Sequence, residues 1–171
     1  LDLCAAPGGK TAHIAEKLLY RGSIVAVDTA KARLQRMRDS LSRDLAEIIK
    51  CVHADGKAFA AQHREEKELF DKVLVDAPCS ASGLWPRLDW KRLTISGVKK
   101  ISEEQFQLLK AAVQAVKPGG VIVYSVCSYL PQETVWICKR GLKELPLDLD
   151  PTFAPGYPSS QAYQGASSGK P

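Results

Sequence analysis

Short runs rich in Val and Ile alternate along this chain with longer amphipathic stretches, and that alternation constrains the fold more than any other feature. A β-rich run followed by a helical period, repeated, is the pattern of parallel strands joined by helical crossovers. Strands are expected near 1–4, 23–28, 48–53, 71–76 and 120–126. Helices are expected near 10–20, 30–45, 56–63, 103–117 and 132–145, with Lys117-Pro118-Gly119-Gly120 as a stop and turn. The expected fold class is α/β, a Rossmann-like, doubly wound, mostly parallel sheet. One domain over 1–150 accounts for most of the 171 residues. From Pro151 to Pro171 eleven of twenty-one residues are Pro, Gly or Ser and only Lys170 is charged, so this tail reads as a disordered end or linker. Phe153, Tyr157 and Tyr163 leave open that it holds a final part of the domain. The chain opens at Leu1 inside a motif and without Met, so an N-terminal part is expected to precede it.

No apolar stretch approaches the roughly eighteen residues that span a bilayer. The five cysteines, at 4, 51, 79, 127 and 138, form no CxxC pair, and His13, His53 and His63 lie at no ligand spacing from them. Neither a metal site nor a disulfide framework is expected. Reduced thiols imply an intracellular setting, cytoplasm or nucleus, with an organelle open. The net charge of +5 leans toward a polyanionic partner.

The segment Asp2-Leu3-Cys4-Ala5-Ala6-Pro7-Gly8-Gly9-Lys10-Thr11 joins the first strand to the first helix, where open α/β sheets hold ligands. Gly8 and Gly9 let backbone approach a ligand closely. Gly9-Lys10-Thr11 resembles the end of a phosphate loop, but that loop needs glycine where Cys4 stands, and GxGxxG is absent too. Triphosphatase and dehydrogenase readings therefore drop out. Lys10 sits in a helix's first turn, where the macrodipole disfavours a cation by roughly 0.3–1 kcal/mol. It reads either as a solvated lysine or as the partner of an anion such as a carboxylate. Asp28 ends the second strand twenty residues after Gly8, a spacing at which a carboxylate accepts from a ribose diol. Arg33 reads first as a helix-surface residue and is kept beside Asp28 as a candidate cofactor residue. Asp55-Gly56 reads either as a plain turn or as part of the same site.

Strand 71–76 runs into Asp76-Ala77-Pro78-Cys79-Ser80, and strand 120–126 into Ser125-Val126-Cys127-Ser128. Parallel neighbours lie about 4.8 Å apart, so pairing of these strands would bring both thiols to one cleft. Cys51 and Cys138 read as inert core residues.

These blocks carry a family resemblance. DLCAAPGGKT at 2–11, VD at 27–28, DG at 55–56, DAPCSASG at 76–83 and VYSVCS at 123–128 resemble, in that order, the catalytic domain of the Sun/Fmu-type RNA (cytosine-5) methyltransferases. The resemblance implies a class I methyltransferase fold, RNA as partner and S-adenosylmethionine as cofactor. It implies that Cys4, Ala5, Ala6, Pro7, Gly8, Gly9 and Lys10, with Asp28, Asp55-Gly56 and Asp76, hold the cofactor. It further implies Cys127 as nucleophile, with Cys79 assisting product release. The family's usual Thr before the nucleophile is Val126 here, its Glu-Asn is Glu133-Thr134, and its closing Gly-Phe-Phe block has no match. Without that block an apolar strand edge is expected to stay unpaired.

Carbon-5 of cytosine is a poor nucleophile, which explains why such a site needs these groups. A thiolate adds to carbon-6 while an acid or hydrogen-bond partner, for which Asp76 is the candidate, engages nitrogen-3, and carbon-5 becomes electron-rich. An ordinary thiol ionises near a pKa of about 8.5, so attack at neutrality needs activation. The proton on carbon-5 must then leave before the enzyme–base bond can break, and Cys79 is the candidate to assist. In the DNA cytosine-5 enzymes the nucleophile resembles that of Pro78-Cys79, so local sequence leaves the attacking thiol open. The VYSVCS block favours Cys127.

Between Leu84 and Ser102 stand Arg87, Lys91, Arg92, Lys99 and Lys100 against Asp89 alone, with Trp85 and Trp90 among them. Basic groups interleaved with aromatics suit unpaired RNA, with Arg87, Lys91 and Arg92 as candidate substrate contacts. The other reading is an exposed loop of solvated charges over packed tryptophans. Pro86-Arg87-Leu88 resembles the transfer-RNA-modifying branch of the family, so transfer RNA or ribosomal RNA is the expected substrate. Two rival functions stay in view: a cofactor-binding but catalytically weak scaffold in RNA assembly, and a DNA cytosine-5 methyltransferase.

Overall fold

Ten helices and strands follow one another in the computed structural model, which describes residues 1–67, 69–84, 88 and 90–150. The tail 151–171, with Phe153, Tyr157 and Tyr163, lies outside the described residues, as do Trp85, Pro86, Arg87 and Asp89 of the basic segment. In chain order the elements are α1 (Gly9–Lys17), β1 (Ile24–Asp28), α2 (Lys31–Ser40), α3 (Arg43–Ile48), β2 (Ile49–His53), α4 (Gly56–Glu66), β3 (Phe70–Asp76), α5 (Ile95–Ala115), β4 (Val116–Ser125) and α6 (Val135–Glu144). They divide into two units, one formed by Leu1–Pro78 with Gln107–Ser125, the other by Cys79–Phe106 with the chain from Val126 onward.

The first unit is a parallel sheet. β1 pairs with β2 from Ile24↔Ile49 to Asp28↔His53, and β3 pairs with β4 up to Asp76↔Ser125. The opening residues sit between these pairs, because Asp2 bridges both Ala26 of β1 and Leu74 of β3. Asp2 N–H donates to Val25 O at 2.8 Å and Leu3 N–H to Leu74 O at 3.0 Å, so this short segment uses both of its edges. The order is therefore β4-β3-(1–3)-β1-β2, and the winding reverses at the first segment. Open α/β sheets place their ligands at the strand ends beside such a reversal. Four of the five residues of β1 are buried, as a strand covered on both faces requires. Ala5, Ala15, Ile24, Ala26, Leu34, Met37 and Ile49 form one core around it.

Three expectations change. The helix over 30–45 is two helices, α2 and α3, because Ser42 Oγ accepts from Leu45 N–H at 3.4 Å and caps a new start. A short polar side chain competes for backbone at such a point. The helix expected from 103 begins at Ile95, where Thr94 Oγ1 accepts from Gly97 N–H at 3.0 Å, so the long segment after Cys79 is helical in its last part. Lys117-Pro118-Gly119-Gly120 is no helix-to-strand turn but lies within β4, whose register shifts between Phe70↔Val116 and Lys72↔Val121. Pro118 has no N–H for a ladder and Gly119 takes φ of 75°, so the tetrapeptide forms a bulge. Among the described residues β4 has a ladder only with β3, and Val123 is 38% exposed. No helix among them is long and apolar enough to cross a membrane.

The second unit holds the loops after Cys79 and Cys127, the first part of α5, and α6. Arg140 of α6 lies 3.6 Å over the Phe106 ring and donates to Glu103 at 2.6 Å, which ties α6 to α5 within this unit.

Candidate functional site

In the first unit two buried carboxylates fold the loop from Cys4 to Lys10. Asp28, 5% exposed, accepts from Ala6 N–H at 3.0 Å, Ala30 N–H at 2.7 Å and Arg33 at 3.3 Å. A carboxylate has about four lone-pair sites, so roughly one remains for a further donor. Asp2, 1% exposed, accepts from Thr11 Oγ1 at 2.7 Å and Cys4 N–H at 3.3 Å. Between these anchors Gly8 stands at φ 103°, where a Cβ would come within 2.5 Å of Met37 Cγ, so only glycine fits. Nothing lies within 4 Å of the Cβ position of Gly9, which leaves open space beside the loop.

Lys10 finds its anion inside the chain, since its ammonium donates to Asp76 Oδ2 at 2.7 Å. Ser125 Oγ donates to Asp76 Oδ1 at 2.6 Å, so both oxygens of Asp76 are oriented at the end of β3. Asp55 caps α4, accepting from Lys57 and Ala58 N–H at 2.8 and 3.2 Å. Burial pulls its carboxyl up, but these hydrogen bonds and the Lys57 ammonium outweigh it and hold the group below its ordinary range. Gly56 meets the first segment closely, where a Cβ would lie 3.0 Å from Leu3 O. The structure thus joins Ala6, Asp28 and Arg33 in one cluster and Lys10 and Asp76 in another. The contacts of Asp55 lie within the first turn of its own helix.

Burial pushes the Asp2 carboxyl above its ordinary value and the nearby Asp76 adds to this, while Thr11 and Cys4 pull it partly back. The folded chain therefore holds this proton more tightly than the unfolded chain. That contribution to stability is full below the ordinary value of 3.8 and is lost as pH rises through the raised one. Asp2→Asn, which cannot ionise, is expected to gain stability relative to wild type as pH rises above the ordinary value of 3.8 and through the raised one in urea melts. A difference that does not move with pH would contradict this origin.

In the second unit Cys79 is buried at 6% exposure and Cys127 is exposed, neither of them in a disulfide, and their sulfurs lie 3.0 Å apart. Arg92 is an exposed residue, and its guanidinium donates to the Cys79 carbonyl at 3.2 Å. Lys91 is exposed, and Trp90, at 69% exposure, is a surface aromatic and not a packed one. Arg87 lies outside the described residues. Sequence reasoning gave no site role to Asp2, Thr11 and Ser125 in the first unit, nor to Ser80, Ser128 and Glu133 in the second, although Glu133 was noted at the place of the family's Glu-Asn. The doubled Cys-Ser pair, at 79–80 and 127–128, was the available signal. Among the described residues no group of three or more His, Cys, Asp or Glu could hold a metal ion.

A family model described as 16S rRNA methyltransferase RsmB/F matches residues 1–161. The ribosomal RNA small subunit methyltransferase B of Vibrio cholerae serotype O1 is 41% identical over 150 residues, covering 85% of this chain and 33% of that protein. The protein of the same name from Salmonella paratyphi B is 39% identical, covering 99% of this chain and 39% of that one. The crystal structure of NSun6 from Pyrococcus horikoshii with SFG matches with a TM-score of 0.70 at 34% identity, covering 83% of this chain and 36% of that chain. The chain thus spans between a third and two-fifths of the length of these curated relatives.

Proposed function

The chain belongs to the 16S rRNA methyltransferase RsmB/F family, and from that premise we propose that it methylates carbon-5 of cytosine in RNA through a covalent adduct with Cys127. The observation that carries this reading is the cysteine pair, one residue exposed and one buried, with their sulfurs 3.0 Å apart. An attacking sulfur must reach the base, and a group that handles a proton beside it must lie within hydrogen-bond distance of the reaction.

S-adenosylmethionine, when bound, supplies an electrophilic methyl group. The open space at Gly9, the remaining acceptor capacity of Asp28 and the exposed Lys10–Asp76 pair fit such a cofactor, and these residues with the Cys4–Lys10 backbone would hold it. On the substrate side the Cys127 thiolate forms a bond to carbon-6, and the ring electrons move to carbon-5. Asp76 offers an oriented carboxylate at the end of β3, three residues before Cys79, to engage the polar edge of the base. After methylation Cys79, directly or through water, takes the proton from carbon-5. The carbon–sulfur bond then breaks, carbon-5 and carbon-6 regain their double bond, and Cys127 leaves as thiolate. Exposed Trp90, Lys91 and Arg92 suit stacking on bases and contact with phosphates of unpaired RNA.

The test supplies the protein with S-adenosylmethionine labelled in its methyl group and, in separate reactions, with ribosomal RNA, transfer RNA and DNA, repeats each with Cys79→Ala, then digests the nucleic acid to nucleosides. Label in 5-methylcytidine is the expected result. Cofactor binding without label in any RNA would turn the reading to an RNA-assembly scaffold, and label in DNA dependent on Cys79 would turn it to a DNA enzyme.

A further inference from the structure

Resting on the reading that both thiols serve one reaction, we infer that Glu133 is the positioning residue of the thiol pair, tying the loop that carries Cys79 to the loop that carries Cys127. Glu133 is fully buried at 0% exposure. Its Oε2 accepts from Ser80 N–H at 2.8 Å and from Gln105 Nε2 at 2.9 Å, and its Oε1 accepts from Ser128 Oγ at 3.1 Å. Ser80 and Ser128 are the residues directly after the two cysteines. One carboxylate thus fixes the backbone next to Cys79 and the side chain next to Cys127, with α5 as a third point.

The hydroxyl network around it has a defined direction. Ser128 gives its one proton to Glu133, so it accepts from Leu130 N–H at 3.1 Å and from the Ser82 hydroxyl at 2.9 Å. Ser82 in turn accepts from Tyr129 N–H at 2.9 Å, and Gly83 N–H donates to the Cys127 carbonyl at 3.1 Å. The two loops are therefore stitched through backbone and side chains on either side of the sulfurs. Only a group with two acceptor oxygens can collect donors from both loops and a helix at once. A buried carboxylate is costly without such donors, so a merely space-filling role would be met better by an apolar side chain. What Glu133 supplies is the register that keeps the sulfurs 3.0 Å apart.

The closeness of the thiols can be read without RNA or cofactor. In a glutathione buffer the pair gives up two protons and two electrons to oxidised glutathione, forming one protein disulfide and two reduced glutathione molecules. The equilibrium reports the effective concentration of one thiol toward the other. Glu133→Gln keeps the size of the side chain but replaces one acceptor oxygen by a donor, and is expected to lower that effective concentration by about tenfold or more. In turnover the same variant is expected to lose kcat with KM for RNA unchanged and to hold its RNA adduct longer. A role in stability alone would lower the melting temperature and leave the effective concentration where it was. An unchanged effective concentration in a variant with wild-type circular dichroism overturns the inference. Should Glu133→Gln not fold, Ser128→Ala cuts the link on the Cys127 side alone, and the same unchanged value overturns it there. Because the disulfide equilibrium involves no methyl transfer, failure of this inference and failure of the cytosine-5 reading are separate results.

Discussion

Cys127→Ala is expected to reduce methyl transfer by roughly 10⁴-fold or more, since a mechanism built on a covalent bond has no substitute for its nucleophile. No RNA–protein adduct should then survive on a denaturing gel. Cys79→Ala is expected to do the opposite to the adduct. With attack intact and proton removal slowed by about 10²–10⁴-fold, the covalent species accumulates and kcat falls. Exposure separates the two thiols where their local sequences do not. On the proposed reading the attack falls to Cys127, an exposed residue, and not to Cys79, a residue only 6% exposed. An adduct that vanishes in Cys79→Ala and persists in Cys127→Ala would move the attack to Cys79 and reverse the roles. The accumulated species also carries the bound RNA out of a mixed pool, so sequencing it identifies the target.

The positions of the strands were legible in the sequence because the runs at 24–28, 49–53 and 70–76 each carry β-branched residues, most densely in β1, the run buried at four of its five positions. At two of the three places where expectation and structure part, a local polar group decided the matter. Ser42 and Thr94 start helices by accepting single backbone N–H groups, an effect too small for a pattern of apolar residues to register. Lys117-Pro118-Gly119-Gly120 carries every mark of a turn, and it does make the chain leave the ladder. That the excursion sits inside a strand depends on the β3 register, which no local window contains. At the site, the glycines of the first loop and the acids Asp28, Asp55 and Asp76 stood out by their position at or after a strand. The partners that orient them did not, because Lys10 reaches Asp76 across 66 residues and Glu133 reaches Ser80 across 53. Contacts of that separation exist only once the fold has formed.

Asp28→Ala is expected to weaken S-adenosylmethionine binding by about 100-fold and to lower thermal stability together with it. The carboxylate serves the loop first. Its removal strands the Ala6 and Ala30 amides, and a buried donor left without an acceptor costs about 1–3 kcal/mol. At a total near 3 kcal/mol a chain of this size loses roughly 10 °C in Tm. The binding loss follows from the same contacts, because the Ala6 amide holds the turn into Gly8 and Gly9 from which the open space of the site is built. Arg33→Ala removes only an exposed partner at 3.3 Å, with 52% of its side chain accessible, and should cost less than about 0.5 kcal/mol and leave the affinity within about twofold. Calorimetric titration of both variants, at a temperature where each is folded, separates the two effects. If Asp28→Ala binds the cofactor as wild type does while melting lower, the residue is a fold anchor alone and the cofactor site must be built from Lys10 and Asp76 without it. If both variants lose affinity equally, the guanidinium contacts the ligand directly, and Arg33 belongs to the site in its own right.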